Sequence, residues 1–289
     1  MKNELVLNIP GKWILLGEHS VVRGGPALAF PLINQKLFIR AQWEKYAGDF
    51  SLYAREEKCL PLTDALGKAL AASSFSPILP SIKVQIDITS TIPVSSGQGS
   101  SAAICTAAAS LLKEWGLLPQ EKIFSVAHEM ENHFHGSSSG LDIAAVQSQQ
   151  GIYFKKDITP APLKLAWTPK LYLFDSGGRS STKDAVNQVT ALKRNDLDSL
   201  MTNAVELAKK SLEEKDSIEV LAEAIHMGEK CFKEWGLISK EMQDAQTLLK
   251  KSGAIAVKPT GSGNGGFLVS LWDKQPAKEL PLIPCFNNN

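Results

Sequence analysis

The stretch that most constrains the fold is Gly97-Gln98-Gly99-Ser100-Ser101-Ala102-Ala103. It follows the β-rich run Ile82 to Thr89 and opens the helical run Ala102 to Trp115. Two glycines let the backbone curl and approach a ligand closely. Two serines place hydroxyls at a helix start, where free N–H groups and the positive end of the helix dipole attract anions. A glycine turn feeding a helix N-terminus is a phosphate-binding geometry; an ordinary strand-to-helix turn is the plainer alternative. The stretch is not a Walker A loop, because no Gly-Lys-Ser/Thr follows at the required spacing.

The rest of the chain limits what such a loop could serve. It has 289 residues and is 44% hydrophobic, enough for one large domain or two moderate ones with full cores. The 31 basic and 30 acidic residues leave a net charge of +1, which gives no bulk attraction to nucleic acid or acidic membranes. Five arginines (Arg23, Arg40, Arg55, Arg179, Arg194) do not cluster, so an anion site must come from local geometry. Four widely spaced cysteines without a CxxC suit reduced thiols in a cytoplasmic compartment. No signal-peptide-like apolar region follows Met1, and no apolar run is long enough to span a bilayer, so a soluble cytoplasmic protein is expected.

Along the chain, residues 4–9 alternate like a strand that Pro10-Gly11 is expected to break before the apolar run Trp13 to Leu16. Ala27 to Leu32, Lys36 to Trp43 and Asp49 to Ala54 read as strands, and Leu62 to Ala72 as a helix. Pro119 suits the first turn of a helix running to Phe134, whose apolar stripe is Ile123, Ala127, Met130 and Phe134. Leu141 to Gln147 reads as helix, and Ile152 to Phe154 and Lys170 to Asp175 as strands. Ser180 to Ser252 is helical by pattern, with four helices expected. Ile255 to Val257 and Phe267 to Trp272 then pair across a glycine-rich loop, and the tail to Asn289 is expected to fray at its end. Strands early, helices later and a closing strand pair make an α+β fold and not a βαβ repeat. The expected division is an N-terminal α/β part, residues 1–160, and a C-terminal α+β part, residues 161–289, with ligands in the cleft between them.

Two further stretches join the glycine loop: Pro10-Gly-Lys-Trp-Ile-Leu-Leu-Gly-Glu-His-Ser-Val-Val-Arg-Gly-Gly-Pro-Ala-Leu-Ala29 and Lys258-Pro-Thr-Gly-Ser-Gly-Asn-Gly-Gly266. In order and spacing the three resemble the GHMP kinase superfamily across nearly the whole chain. Gly17-Glu18-His19-Ser20-Val21-Val22, His135-Gly-Ser-Ser-Ser-Gly-Leu-Asp142 and Asp175-Ser-Gly-Gly-Arg-Ser-Ser-Thr-Lys183 are most similar to segments of mevalonate kinases. The resemblance implies a two-lobed kinase fold and ATP- and Mg²⁺-dependent phosphorylation of the primary hydroxyl of mevalonate. The alternatives are a related kinase acting on phosphomevalonate, another hydroxy acid or a sugar, and a non-catalytic ligand-binding member.

The roles implied by the resemblance are specific. Asp142 is the catalytic base or orients the attacking hydroxyl, and Lys12 pairs with it and stabilises developing charge. Gly97, Gly99, Ser100, Ser101 and Ala102 bind ATP, while Ser101 and Glu131 hold Mg²⁺. Glu18, His19, Thr182 and Gly261 line the acceptor site. Phosphoryl transfer needs alignment and charge neutralisation more than covalent chemistry, which suits this set. On its own periodicity Glu131 falls roughly 70° from the centre of its helix's apolar stripe, on the partly shielded flank, and Asp142 could serve as an N-terminal helix charge. His128 and His133 are five apart, so they do not share a helix face as HExxH requires, and no zinc site is expected. The chain departs from the pattern at Gln98, where the family usually has Leu, at Ser138, where it has Pro, and at Asn264 within the glycine run. Leu141-Asp142-Ile143 leans toward phosphomevalonate kinases. Arg23 and Arg179 are candidates for an acceptor carboxylate by charge and location. A homodimer is left open.

Overall fold

A computed structural model of the chain describes residues 3–93, 96–136, 138–179, 181–214 and 218–286. Ser137, Ser180 and the last three residues of the tail, all named above, lie outside the described residues. The elements follow the order β1 (Glu4–Leu16), β2 (Pro26–Lys45), β3 (Ser51–Ala54), α1 (Leu60–Ala72), β4 (Ile82–Ser90), α2 (Ser100–Glu114), α3 (Ile123–His135), α4 (Leu141–Gln147), β5 (Ile152–Lys155), β6 (Ala161–Pro162), β7 (Lys170–Asp175), α5 (Thr182–Leu192), α6 (Asn195–Glu213), α7 (Ile218–Glu234), α8 (Lys240–Lys251), β8 (Ala256–Pro259), β9 (Phe267–Trp272) and β10 (Ile283–Pro284). The fold is α+β, with two compact units that interleave along the chain. One comprises Met1–Lys12, Ile33–Pro93 and Gly99–Gln147; the other comprises Trp13–Leu32, Val94–Gln98 and Ser148–Asn289.

In the first unit, the later part of β2 pairs antiparallel with β4, from Leu37 opposite Ser90 to Lys45 opposite Ile82, and β3 runs parallel to β4. Strand β4 alternates as its sequence demands. Ile82, Val84, Ile86 and Ile88 point inward, while the intervening residues are more exposed. Helix α2 packs against α1, α3 and α4. Its run of alanines, Ala102, Ala103, Ala107, Ala108 and Ala109, is buried throughout, so neighbouring helices approach it closely on several sides. These residues form one core with Leu66, Met130, Ile143 and Val146.

In the second unit, Pro26 to Ala29 of β2 pair antiparallel with β5, and β5 pairs with β6. A second, antiparallel sheet has the order β10-β7-β9-β8. Helices α6 and α7 pack on each other, and α7 packs against β8. Their inward faces join Trp13, Leu28 and Phe30 in a core of its own.

Four local expectations change. The separate strands expected at Ala27 to Leu32 and Lys36 to Trp43 run as the single strand β2. Strand β1 runs through Pro10-Gly11 without a break. Its strand neighbour is β2, and a strand paired on one side tolerates a proline whose missing N–H faces away from the ladder. Pro119 is extended and precedes a single 3₁₀ turn, Gln120–Lys122, so α3 begins at Ile123. Phe134, placed in the apolar stripe of α3, is exposed near the helix end. Among the described residues, no helix is long and apolar enough to cross a membrane.

Candidate active site

The first constellation lies in the first compact unit. Strand β1 delivers Lys12, whose side chain is only 2% exposed and whose Nζ lies 2.8 Å from Oδ1 of Asp142, itself 32% exposed. Asp142 stands in the first turn of α4, where a carboxylate also complements the helix dipole. Gly99 precedes α2 with φ of +80°, and a Cβ there would fall 2.7 Å from Cγ of Lys12 and 3.3 Å from Cγ1 of Val146. A glycine is therefore required both by the backbone conformation and by the passage of the Lys12 side chain. The N-cap residue of α2, Gly99, makes no side-chain cap, and residues 100–102 form the first turn, the end of a helix that favours an anion.

Glu131, on α3, is 2% exposed. This is deeper than the flank position its periodicity suggests, because α2 and α4 both pack against α3. Oγ of Ser138 donates to its Oε2 at 2.5 Å. Burial, and then the charge of Asp142, push the Glu131 carboxyl up to about 8, against the pull of the Ser138 hydroxyl and of Lys12. A buried carboxyl so disfavoured as an anion is one that a cation would return to its charged form. Glu131 and the half-buried Ser101 are hard oxygen donors, and among the described residues no cluster of three His, Cys, Asp or Glu could make a complete metal cage. That donor set fits Mg²⁺, which typically takes one or two protein oxygens and completes its shell with phosphates and water.

The second constellation lies in the second unit. Glu18 and Lys258, 240 residues apart, form a buried pair with Nζ 2.7 Å from Oε1. Lys258 has no exposed surface; its Nζ also donates to the Pro259 carbonyl and sits 5.1 Å over the Phe232 ring. Burial pulls the ammonium below its ordinary pKa and Glu18 opposes that. The next residue, His19, adopts a left-handed backbone, with φ of 60°, at the entrance to a 3₁₀ turn, Ser20–Arg23. Its Nε2 lies 2.9 Å from the Ser262 carbonyl, and its ring meets Phe232 and Trp235 edge-on. Burial lowers the ring to about 4, the Ser262 contact opposing, so the imidazole is neutral near pH 7. A carbonyl can only accept, so Nε2 carries the proton and Nδ1 is an acceptor. That Nδ1 is buried with no hydrogen-bond partner among the described residues.

Thr260 ties its loop to β1, accepting from the Ile14 amide at 3.0 Å and donating to the Ile14 carbonyl at 2.8 Å. Gly97 and Gly261 touch backbone to backbone; a Cβ on Gly261 would lie 3.6 Å from Cα of Gly97. Asn264 holds the left-handed conformation its position in the glycine run anticipates, with φ of 56°. Thr182 opens α5 on the surface, its Oγ1 3.5 Å from Oγ of Ser262. The two candidate arginines are engaged with carboxylates of the chain itself, Arg23 with Asp198 and Arg179 with Asp175. Gln98 is buried with both carboxamide atoms lacking partners among the described residues, an arrangement the usual Leu would avoid.

Two partners were not singled out from the sequence. Lys258 opens the third glycine stretch, yet nothing local marks it as the counter-ion of Glu18. Ser138 was noticed as a departure, but its bond to Glu131 depends on how the loop after α3 folds back. Residues 64–149, from within α1 to just past α4, match the family model described as the GHMP kinases N terminal domain. A mevalonate kinase of Pyrococcus horikoshii is 28% identical over 94% of this chain and 89% of its own. One of Archaeoglobus fulgidus is 27% identical over 95% and 94%. Among solved structures, L. major mevalonate kinase in complex with R-mevalonate superposes with a TM-score of 0.78 at 22% identity, covering 95% of this chain and 90% of that one, and is similar in fold.

Proposed function

We propose, from the similarity to GHMP kinases along the chain, that the protein is a kinase of that superfamily and transfers the γ-phosphoryl group of ATP to the primary hydroxyl of mevalonate, giving 5-phosphomevalonate. The observation that carries the reading is the pairing of Lys12 with Asp142 beside the N-terminus of α2. In it Asp142 is the half-exposed member, able to face an acceptor hydroxyl, and Lys12 the buried one. Asp142 accepts the hydroxyl proton or orients the hydroxyl for attack. Lys12, fixed beside it, stabilises the charge that develops on the attacking and transferred oxygens. The amides at the head of α2, with Gly97, Gly99, Ser100, Ser101 and Ala102, cradle the phosphates. Glu131 and Ser101 would hold Mg²⁺, which would supply neutralisation of the charge on the transferring phosphates.

On the acceptor side we assign Glu18, His19, Thr182 and Gly261. The neutral His19 ring, donating through Nε2 to Ser262, keeps Nδ1 as an acceptor for a substrate hydroxyl. The buried pair of Glu18 with Lys258 holds that turn in place. The choice of mevalonate as acceptor rests on the similarity to the mevalonate kinases.

A coupled assay of ADP release with MgATP and a panel of mevalonate, phosphomevalonate, homoserine and galactose tests the substrate. Mevalonate is expected to have the highest kcat/KM by about 10²-fold or more, since a pocket discriminates one small extra or missing group by roughly 10- to 200-fold. Preference for phosphomevalonate would replace mevalonate by its phosphate as the acceptor, and no turnover with any of the four would remove the catalytic reading.

A further inference from the structure

Ser138 stands where the related segment usually carries proline, and it makes four hydrogen bonds that a proline could make only in part. Its hydroxyl donates to Oε2 of Glu131 at 2.5 Å and accepts from the Gly140 amide at 3.1 Å. Its own amide donates to Oδ1 of Asn132 at 2.7 Å, and its carbonyl meets Nε2 of His128 at 3.0 Å. Proline has neither the amide hydrogen nor the hydroxyl. Three of the partners, His128, Glu131 and Asn132, lie within about one turn of each other on α3. The fourth, Gly140, leads into α4 two residues before Asp142, and Oγ of Ser139 accepts from the Leu141 amide at 3.2 Å at the start of that helix.

The direction of the Ser138 hydroxyl is thereby set. A hydroxyl has a single hydrogen, and with the Gly140 amide donating into the oxygen, that hydrogen goes to Glu131 in the anionic form that a bound cation requires. A bond from a hydroxyl to a carboxylate is among the stronger hydrogen bonds, and it restricts rotation of the carboxylate plane. Its effect here is to engage Oε2 and to leave Oε1 as the oxygen for a cation. Outer partners of this kind orient metal-binding carboxylates and typically alter metal affinity when removed.

We propose that Ser138 is a positioning residue for the metal carboxylate: it anchors Oε2 of Glu131 to the loop that leads into α4 and Asp142, and so presents Oε1 to the divalent cation that accompanies the nucleotide. This rests on the reading of Glu131 as a metal ligand. In this chain a hydrogen-bonded hub takes the place of the rigid proline ring, and the ligand oxygen and the base are set by one loop.

The test measures Mn²⁺ binding by electron paramagnetic resonance in the complex with AMPPNP, with no turnover involved. Ser138→Ala is expected to weaken Mn²⁺ by about tenfold, the scale of a lost outer partner, while Ser138→Thr, which keeps the hydroxyl, stays within about threefold of the parent. In a Glu131→Gln background the Ser138→Ala change should add less than about twofold, because it acts through that carboxylate. A loss below about threefold in Ser138→Ala, an equal loss in the Glu131→Gln background, or no rescue by threonine overturns the proposal. If Glu131→Gln itself leaves Mn²⁺ binding unchanged, the metal reading of Glu131 falls and this inference falls with it. If Glu131→Gln weakens binding and Ser138→Ala does not, only the inference falls. Should Ser138→Ala fail to fold, Ser138→Cys, of similar size with a weak donor, makes the same comparison.

Discussion

Lys12 shows how unequal the two members of one ion pair can be. The lysine is almost wholly enclosed, whereas Asp142 keeps about a third of its surface in water. Removing the carboxylate strands a buried ammonium, while removing the ammonium leaves a carboxylate that can turn to solvent. Asp142→Asn is therefore expected to destabilise by a few kcal/mol, more than Lys12→Met does, since an uncompensated buried charge is the costly outcome. In activity, Asp142→Asn should abolish turnover while ATP still binds, and Lys12→Met should lower kcat by roughly 10²-fold or more. Denaturant unfolding and the ADP assay on both variants check these orders; normal turnover in either would remove that residue from the mechanism. That Lys12 and Asp142 belong together was legible through the motifs that contain them. Which of the two is buried was not, because it depends on the backbone at Gly99 lying against the lysine stem.

At the scale of elements, the turn after β1 is held by residues from the far end of the chain. Glu18 meets Lys258, His19 meets Ser262, and Ile14 meets Thr260. Glycines in these loops were readable from the sequence because positive φ is a property of the residue itself. Their partners were not, since a contact across some 240 positions leaves no periodic trace in either segment. The burial of His19 has a pH signature. The folded ring titrates at about 4 and an unfolded histidine near 6.5, so the unfolded chain binds more protons in that interval and stability falls as pH drops through it. The contribution is fully present above about 6.5 and is lost toward 4 at up to about 1.4 kcal/mol per pH unit. Unfolding free energies at pH 7.5 and 5 should show a shallower dependence in His19→Asn, which can still donate to the Ser262 carbonyl. Equal slopes in the variant and the parent would mean that His19 is not the titrating group.

For the whole molecule, a ligand that binds the folded chain alone must stabilise it by mass action. AMPPNP with Mg²⁺ at 100 times its dissociation constant is expected to add about 2.7 kcal/mol to the unfolding free energy. A thermal melt that does not move under saturating nucleotide would deny the nucleotide site. The alternation of β4, the alanine-rich α2, the four helices α5 to α8 and the pairing of β8 with β9 follow from periodicity and residue type. So does the glycine loop that heads α2, because these are local preferences each segment carries with it. The burial of Glu131, the Glu18–Lys258 pair, the hub at Ser138 and the interleaving of residues 96–98 into the second unit were decided only by the tertiary structure. Burial and pairing belong to whichever remote segments the fold brings together, and a single segment's sequence does not name its partners.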